Sequence, residues 1–442
     1  MSRLAVDTPR SVLRCKSNGL SFTFAIMSLY AQRGVSAQKE EVHQATERLD
    51  KGLYPNAFCR IYPDYLGGDA GWVNLMHADG AGTKSILAYL YWKETGDLSV
   101  WKGIARDAIA MNLDDLLCVG IFDNLLFSST IDRNKRNVPG EILSMIINGS
   151  QEFFDELRTY GVGIQYLGGE TADVGDVVRT IAVNGTMTAR WPKDKLITND
   201  KIQAGDVIVG FSSSGQASYE TDYNSGIGSN GLTSARHDTL HKTYGARFHE
   251  SYDTGLDDSV VYIGPHRLTD PIEIPAPSAA EQASTAPTPA PGAPSTSPAQ
   301  STGWSTDIGH LLLSPTRTYA PLLRQLLTEQ FDAIHGLIHC SGGGQTKCMK
   351  YLPGNFRIVK DNLFTPPPIF QLIQQASGSD NREMYQVFNM GHRLEVFADP
   401  KAADDLIRAG QAFNIEAKIV GRVEAADKKS LILKAGAEEI VY

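Results

Sequence analysis

His77-Ala-Asp-Gly-Ala-Gly-Thr-Lys84 places an acid, a glycine turn and a cation within eight residues. The apolar run at 72–76 reads as a strand, so Asp79 is expected where that strand gives way to a loop. Gly80 and Gly82 let backbone N–H groups approach a ligand closely or take positive φ, and such amides form anion-binding nests. Lys84 adds a point charge suited to phosphate, and Asp79 a hard oxygen suited to Mg²⁺. The octad is not a Walker A loop: Thr83 stands where that motif has the glycine before its lysine. Taken alone, it is equally a glycine-rich turn beside a surface lysine.

Two later segments add acids. Met111-Asn-Leu-Asp-Asp-Leu-Leu117 carries Asp114 and Asp115 in an otherwise apolar stretch. Buried like charges are unfavourable unless neutralised, which a divalent cation would do. For Asp114 the simpler expectation is a helix face turned to water. Leu167-Gly-Gly-Glu-Thr-Ala172 follows the strand-like run 162–166. Gly168 and Gly169 are expected to form a tight turn delivering Glu170 and Thr171 to its mouth. Asp79, Asp115 and Glu170 together point to a Mg²⁺–nucleotide site.

In chain order these segments resemble the aminoimidazole ribonucleotide synthetase (phosphoribosylformylglycinamidine cyclo-ligase) family. Asp79-Gly-Ala-Gly-Thr-Lys84 is similar to its D-G-V-G-T-K, Asp114-Asp-Leu-Leu-Cys-Val-Gly120 to N-D-L-x-x-x-G, and Gly168-Gly-Glu-Thr-Ala172 to G-G-E-T-A. Gly228-Ser-Asn-Gly231, Leu313-Ser-Pro-Thr-Arg-Thr-Tyr319, His339-Cys-Ser-Gly-Gly-Gly344 and Met384-Tyr-Gln-Val-Phe-Asn-Met-Gly391 resemble four further motifs, interrupted by one insertion.

The resemblance implies a two-domain synthetase-like fold of α+β or α/β class. Its N-terminal ATP-binding domain, 27–212, would pair across a homodimer into a shared β-barrel. A C-terminal α/β domain, 213–442, would close over the cleft. The implied activity is ATP-dependent cyclisation of formylglycinamidine ribonucleotide to aminoimidazole ribonucleotide, ADP and phosphate in purine biosynthesis. Asp79, Asp115 and Glu170 would hold Mg²⁺, and Glu170 and Thr171 would also face the nucleotide. Amides of Gly80, Ala81, Gly82 and Thr83 would hold phosphate beside Lys84, with Lys84 and Asp79 catalytic. Ser229, Asn230, Gly231, Gly342, Gly343 and Gly344 would take the substrate's ribose phosphate. His77 and His339 are each a candidate general base or a structural histidine.

The chain departs from the family pattern in three places. Leu29-Tyr-Ala-Gln-Arg-Gly-Val-Ser36 lacks the lysine and aspartate of S-Y-K-D-A-G-V-D, leaving Arg33 as a shifted source of charge. The S-S-G-P-H-S-N-G loop is split by residues 216–228 and loses its histidine; Tyr219, Tyr223 or Glu220 are candidates to line the site instead. Asp114 replaces an asparagine. Selenophosphate synthetase would need a reactive cysteine before the first strand. The hydrogenase-maturation dehydratase ends in cysteine, whereas this chain ends Val441-Tyr442. Thiamine-phosphate kinase leaves the L-x-P-T-R and M-Y-x-x-F-N segments unexplained. A nucleotide-binding dimeric paralogue without catalysis, or a related kinase, is the alternative.

The 442 residues suffice for more than one domain. Apolar content of 42% with 21% charged residues fits a globular protein, and a net charge of −9 argues against general nucleic-acid binding. The five cysteines lack zinc or disulfide spacing, which favours a reducing, cytoplasmic setting; Cys340 and Cys348 are weighed as nucleophiles against small buried residues. No apolar run is long enough for a membrane span. Residues 1–26, with Arg3, Arg10, Arg14 and Lys16 against Asp7, read as an extension or an organelle leader. Residues 275–302, almost wholly Ala, Pro, Ser, Thr, Gln and Gly, are expected to be a disordered insertion. Further strands are expected at 180–189, 207–211, 334–340, 393–397, 417–423 and 430–434. Helices are expected at 39–49, 101–117, 139–160, 319–331, 369–376 and 400–413.

Overall fold

The computed structural model describes residues 29–35, 40–275 and 303–442. The expected leader at 1–26 and, Pro275 apart, the expected insertion lie outside these residues. The chain forms two sheets. The first contains β1 (Tyr62–Pro63), β2 (Trp72–Gly80), β3 (Leu125–Arg133), β4 (Ile164–Asp173) and β5 (Ile181–Pro192), in the order β1-β2-β5-β3-β4. The β3–β4 pair is parallel and joined through the helix Gly140–Thr159; the other pairs are antiparallel.

Alternation decides which face of this sheet is covered. Val73, Leu75, Phe127, Ile131, Val183, Met187 and Trp191 are buried towards the helices, while Met76, Leu126 and Leu167 remain exposed. Two expectations are corrected here. β2 continues through Asp79 and Gly80, so Asp79 is a strand residue, because the ladder to β5 persists to the Gly80–Asn184 pair. β4 likewise runs through Gly168–Ala172 with a register shift opposite Phe127 and Ser129, and no tight turn forms there. β3, the strand between β5 and β4, was absent from the expected set. Its Ser128-Ser-Thr130 interrupts the apolar pattern, and pairing on both sides supplies what the sequence signal lacks.

The second sheet orders β14-β13-β10-β12-β6-β11-β9. Its strands are β6 (Val207–Ser212), β9 (Ile334–His339), β10 (Phe356–Lys360), β11 (His392–Ala398), β12 (Ala417–Ala425), β13 (Ser430–Ala435) and β14 (Glu438–Val441). The expected domain boundary after residue 212 is therefore displaced. β6 lies between β12 and β11, so the C-terminal domain begins before Val207. A short ribbon, β7 (Pro271–Ile274) with β8 (Trp304–Asp307), pairs Ile274 with Trp304. The described residues on either side of the insertion are thus held next to each other.

Candidate functional site between the two domains

The helix Val100–Leu117 lies under the first sheet and against the C-terminal domain, and 14 of its 18 residues are buried. Four of those are Asp107, Asn112, Asp114 and Asp115, and buried polar groups require partners. The expectation that Asp114 faces water is overturned: it is 2% exposed. Asp115 Oδ1 accepts from His339 Nδ1 at 2.7 Å, and Oδ2 lies 3.2 Å from His77 Nε2. Asn112 accepts from His77 Nδ1 at 3.1 Å and donates to the Asp79 carbonyl at 3.1 Å.

These contacts fix the charge states. Burial alone would raise the Asp115 carboxyl, but the charge of Lys347 and hydrogen bonds from His339 and His77 hold it well below the usual range. Burial works against a charged His77, yet both ring nitrogens face acceptors, so Asp115 and Asn112 raise its pKa. Burial, helped by Arg393 and Lys347 against the pull of Asp115, pushes His339 down to about 4. His339 is therefore neutral near pH 7, and its buried Nε2 has no hydrogen-bond partner among the described residues, the Asp114 carboxylate lying 4.0 Å away. Burial raises Asp79, and the Asp115 charge adds to this, while the Gly80 N–H, 2.7 Å from Asp79 Oδ1, opposes it.

Lys84 starts the helix Lys84–Thr95 but does not face an open phosphate site. It is wholly buried, with Nζ 2.9 Å from Asp107 Oδ1 and 2.5 Å from the Ser314 carbonyl. Asp107 Oδ1 also accepts from Thr316 N at 2.7 Å and Ser229 Oγ at 3.2 Å. One carboxylate thus ties the glycine turn at 80–83 to the motifs at 229–231 and 314–319. Gly80 is required because a Cβ there would stand 2.1 Å from Asn184 Oδ1 and 2.6 Å from the Val183 carbonyl. Ala81 is buried, and Thr83 Oγ1 meets Thr233 Oγ1 at 2.9 Å, just past Gly231.

The two groups expected at the substrate phosphate do converge. A Cβ on Gly342 would lie 3.6 Å from Asn230 Nδ2, which brings 229–231 beside 342–344. Gly231 has φ +78°, and a Cβ there would press within 2.4 Å of the Phe388 ring. Lys347, missed in the sequence, joins this corner: its Nζ donates to Ser341 Oγ at 2.6 Å and sits 4.6 Å from the Phe58 ring centroid.

Glu170 and Thr171 are not brought in. In register, Gly80 faces Asn184, then Thr130, then Glu170, three strand spacings away, or about 14 Å. Glu170 also follows the open face of the sheet with exposed Thr130, whereas Asp79 follows the helix-covered face with Val73 and Leu75. The expected three-acid metal set is thus not assembled within one chain. Among the described residues no group of three or more His, Cys, Asp or Glu could hold a metal. Arg33 supplies no charge to the site, since its Nη1 is buried 2.7 Å from Asp238 Oδ1. Glu220 binds Arg317 through two contacts of 2.9 and 2.5 Å, and Tyr219 donates to the Thr318 carbonyl at 2.6 Å. The segment splitting the family motif therefore braces 314–319. Burial pushes Cys348 up to about 11 and Cys340 well above its ordinary value, which disfavours either thiolate as a nucleophile. Asp107, Arg393 and Lys347 had no motif to mark them; a charged residue inside an apolar helical run was the only signal for Asp107.

Residues 67–191 match the family described as AIR synthase related protein, N-terminal domain, and residues 278–434 match AIR synthase related protein, C-terminal domain. Phosphoribosylformylglycinamidine cyclo-ligase of Methanocaldococcus jannaschii is 28% identical over 354 residues, covering 79% of this chain and 77% of that protein. The protein of the same name from Methanothermobacter thermautotrophicus is 27% identical over 390 residues, covering 86% and 90%. A chain of the HypE–HypF complex aligns over 92% of this chain and 98% of its own length, with 15% identity and a TM-score of 0.49.

Two outcomes are expected from the buried charges. Asp107→Asn leaves Lys84 charged and poorly paired in the core, so denaturant unfolding should show a loss of about 3–5 kcal/mol. The double variant Lys84→Met with Asp107→Asn should recover at least half of that loss. Burial raises Asp114 to about 7 despite Arg393 and Thr318, so between pH 4 and 7 the folded state binds more protons than the unfolded chain. Its contribution to stability is therefore fully present below pH 4 and falls as the pH rises to 7, by up to roughly 4 kcal/mol. The stability of the native protein minus that of Asp114→Asn should decline across that window and be flat above it.

Proposed function

The chain belongs to the AIR synthase family, and on that premise we propose that it converts formylglycinamidine ribonucleotide and ATP into aminoimidazole ribonucleotide, ADP and phosphate. A formamide oxygen is a poor leaving group at neutral pH. Transfer of the γ-phosphoryl group to that oxygen breaks the bond to ADP and forms an O–P bond. Attack of the amidine nitrogen on the formyl carbon then closes the ring, and the C–O bond breaks to release phosphate. Such transfer relies on positioning and charge neutralisation.

The carrying observation is the convergence of Asp79, Asp115 and Lys347 with the glycine turns at 80–82, 229–231 and 342–344. Asp79 and Asp115 fit Mg²⁺ as hard oxygen donors, since burial and mutual repulsion already raise Asp79. One or two carboxylates plus nucleotide phosphates are an ordinary Mg²⁺ set. When bound, the ion would supply neutralisation of phosphate charge. We assign the phosphate-neutralising cation of the site to Lys347 and a positioning role to Lys84, whose ammonium is held by Asp107. His339 has a positioning role: its Nδ1 holds Asp115 Oδ1 at 2.7 Å. Asn230 and Gly342 mark the ribose-phosphate end.

The open face of the first sheet supports a homodimer. Met76 is 71% and Leu167 58% exposed, and Met76 and Leu126 flank Thr188 in register, which leaves large apolar side chains open on this face. A second copy covering this face would complete the proposed barrel, and Glu170 keeps its proposed nucleotide or metal role only there. Four described cysteines are free thiols, which suits a cytoplasmic enzyme. Among the described residues no helix is long and apolar enough to cross a membrane.

Purified protein given formylglycinamidine ribonucleotide, ATP and Mg²⁺ should form ADP and aminoimidazole ribonucleotide in equal amounts. Asp79→Asn should lower turnover at least 100-fold, and Lys347→Met at least tenfold, with folding retained. Nucleotide binding with neither product would instead leave a non-catalytic paralogue or a kinase for another substrate. Met76→Arg with Leu126→Arg should shift the sedimentation mass from two chains to one; an unchanged mass would reject this face as the interface.

A further inference from the structure

A cavity lies at the end of β2 opposite Asp79. Its volume is about 700 Å³, and it is lined by Trp72, Phe122, Trp191 and Lys195 from the first domain and by Leu327 and Phe331 from the second. It is remote from the proposed catalytic centre: Trp72 and Asp79 are seven residues apart along one strand, about 23 Å. The size falls within the range of small-molecule sites, about 300–1,000 Å³, and junctions between domains are favoured places for them.

Its chemistry is specific. Phe122 and Trp191 pack edge to face with centroids 5.4 Å apart, and Arg190 stacks 4.1 Å over the Trp72 ring while its Nε bonds Asp64. Lys195 and Lys201 approach the Phe331 ring to 5.8 and 5.9 Å. Neither lysine forms an ion pair among the described residues, although the chain carries a net charge of −9. Aromatic faces take a planar base by stacking, and unpaired ammoniums take phosphate oxygens. Helix Ala320–Glu329 leads from the 314–319 segment, which contacts Asp107 and Asp114, to Leu327 at the cavity wall.

We propose that this cavity is a second nucleotide site, selective for a nucleoside monophosphate, with the base among the rings and the phosphate at Lys195. The test uses the full chain with its catalytic site saturated by the non-hydrolysable ATP analogue AMPPNP and Mg²⁺. AMP is then titrated by calorimetry and tryptophan fluorescence. One further AMP per chain should bind, adenosine and inorganic phosphate should each bind at least tenfold more weakly, and Lys195→Glu should weaken AMP at least tenfold. Lys195 is exposed, and turnover of Lys195→Glu without AMP should match the native protein, which checks that it folds. AMP that fails to bind beyond the analogue, or that binds Lys195→Glu as tightly as the native chain, overturns the proposal. Equal binding of adenosine overturns the phosphate part of it and with it the class of ligand.

Discussion

Burial of polar side chains on the helix Val100–Leu117 is the constraint from which the site follows. A helix enclosed on nearly every side cannot turn its acids to water, so each must find a partner on another element. Asp107 takes Lys84, Ser229 and Thr316; Asn112 takes His77 and the Asp79 carbonyl; Asp114 takes Thr318 and the Tyr319 amide; Asp115 takes His77 and His339. These partners come from β2, from the helix Lys84–Thr95, from the 229–231 turn, from 314–319 and from β9. Satisfying one helix thus draws both domains and four motifs to a common place.

The same arrangement decides what each group can do. Lys84 resembles a phosphate-binding lysine by spacing, but complete burial beside Asp107 makes it a tie between domains. Lys347 has a partial opening, a light tether to Ser341 and a place near Asp115, so it is better suited to meet a changing charge. The two histidines on Asp115 differ in a comparable way. His77 faces acceptors at both nitrogens, which favour its charged form, whereas His339 bonds Asp115 through one nitrogen and leaves the other without a hydrogen bond in an enclosed setting.

The residues that depart from the family pattern are absorbed by packing. Arg33 is locked to Asp238, and the segment at 216–228 uses Glu220, Tyr219 and Asn224 to brace Arg317, Thr318 and Pro315. A second buried network, Lys360 with Glu395 and Gln345, anchors the base of the 342–344 turn from within the seven-stranded sheet. The β7–β8 ribbon pairs Ile274 with Trp304, bringing together the described residues on either side of 276–302.

Local pattern in the sequence determined the apolar alternation of β2 and β5, the long helices, the glycine turns and the ordered motifs that mark the family. Those features depend on neighbours a few residues away. Tertiary structure alone decided that Asp114 is buried, that Lys84 belongs to Asp107, that β6 crosses into the second sheet and that Glu170 stands on the far face from Asp79. Each of these depends on which elements meet, and a one-residue change of strand parity or a packed helix face reverses the outcome without altering any motif. Lys347 escaped notice for the same reason: an isolated lysine gains meaning only when folding sets it beside carboxylates more than 200 residues earlier in the chain.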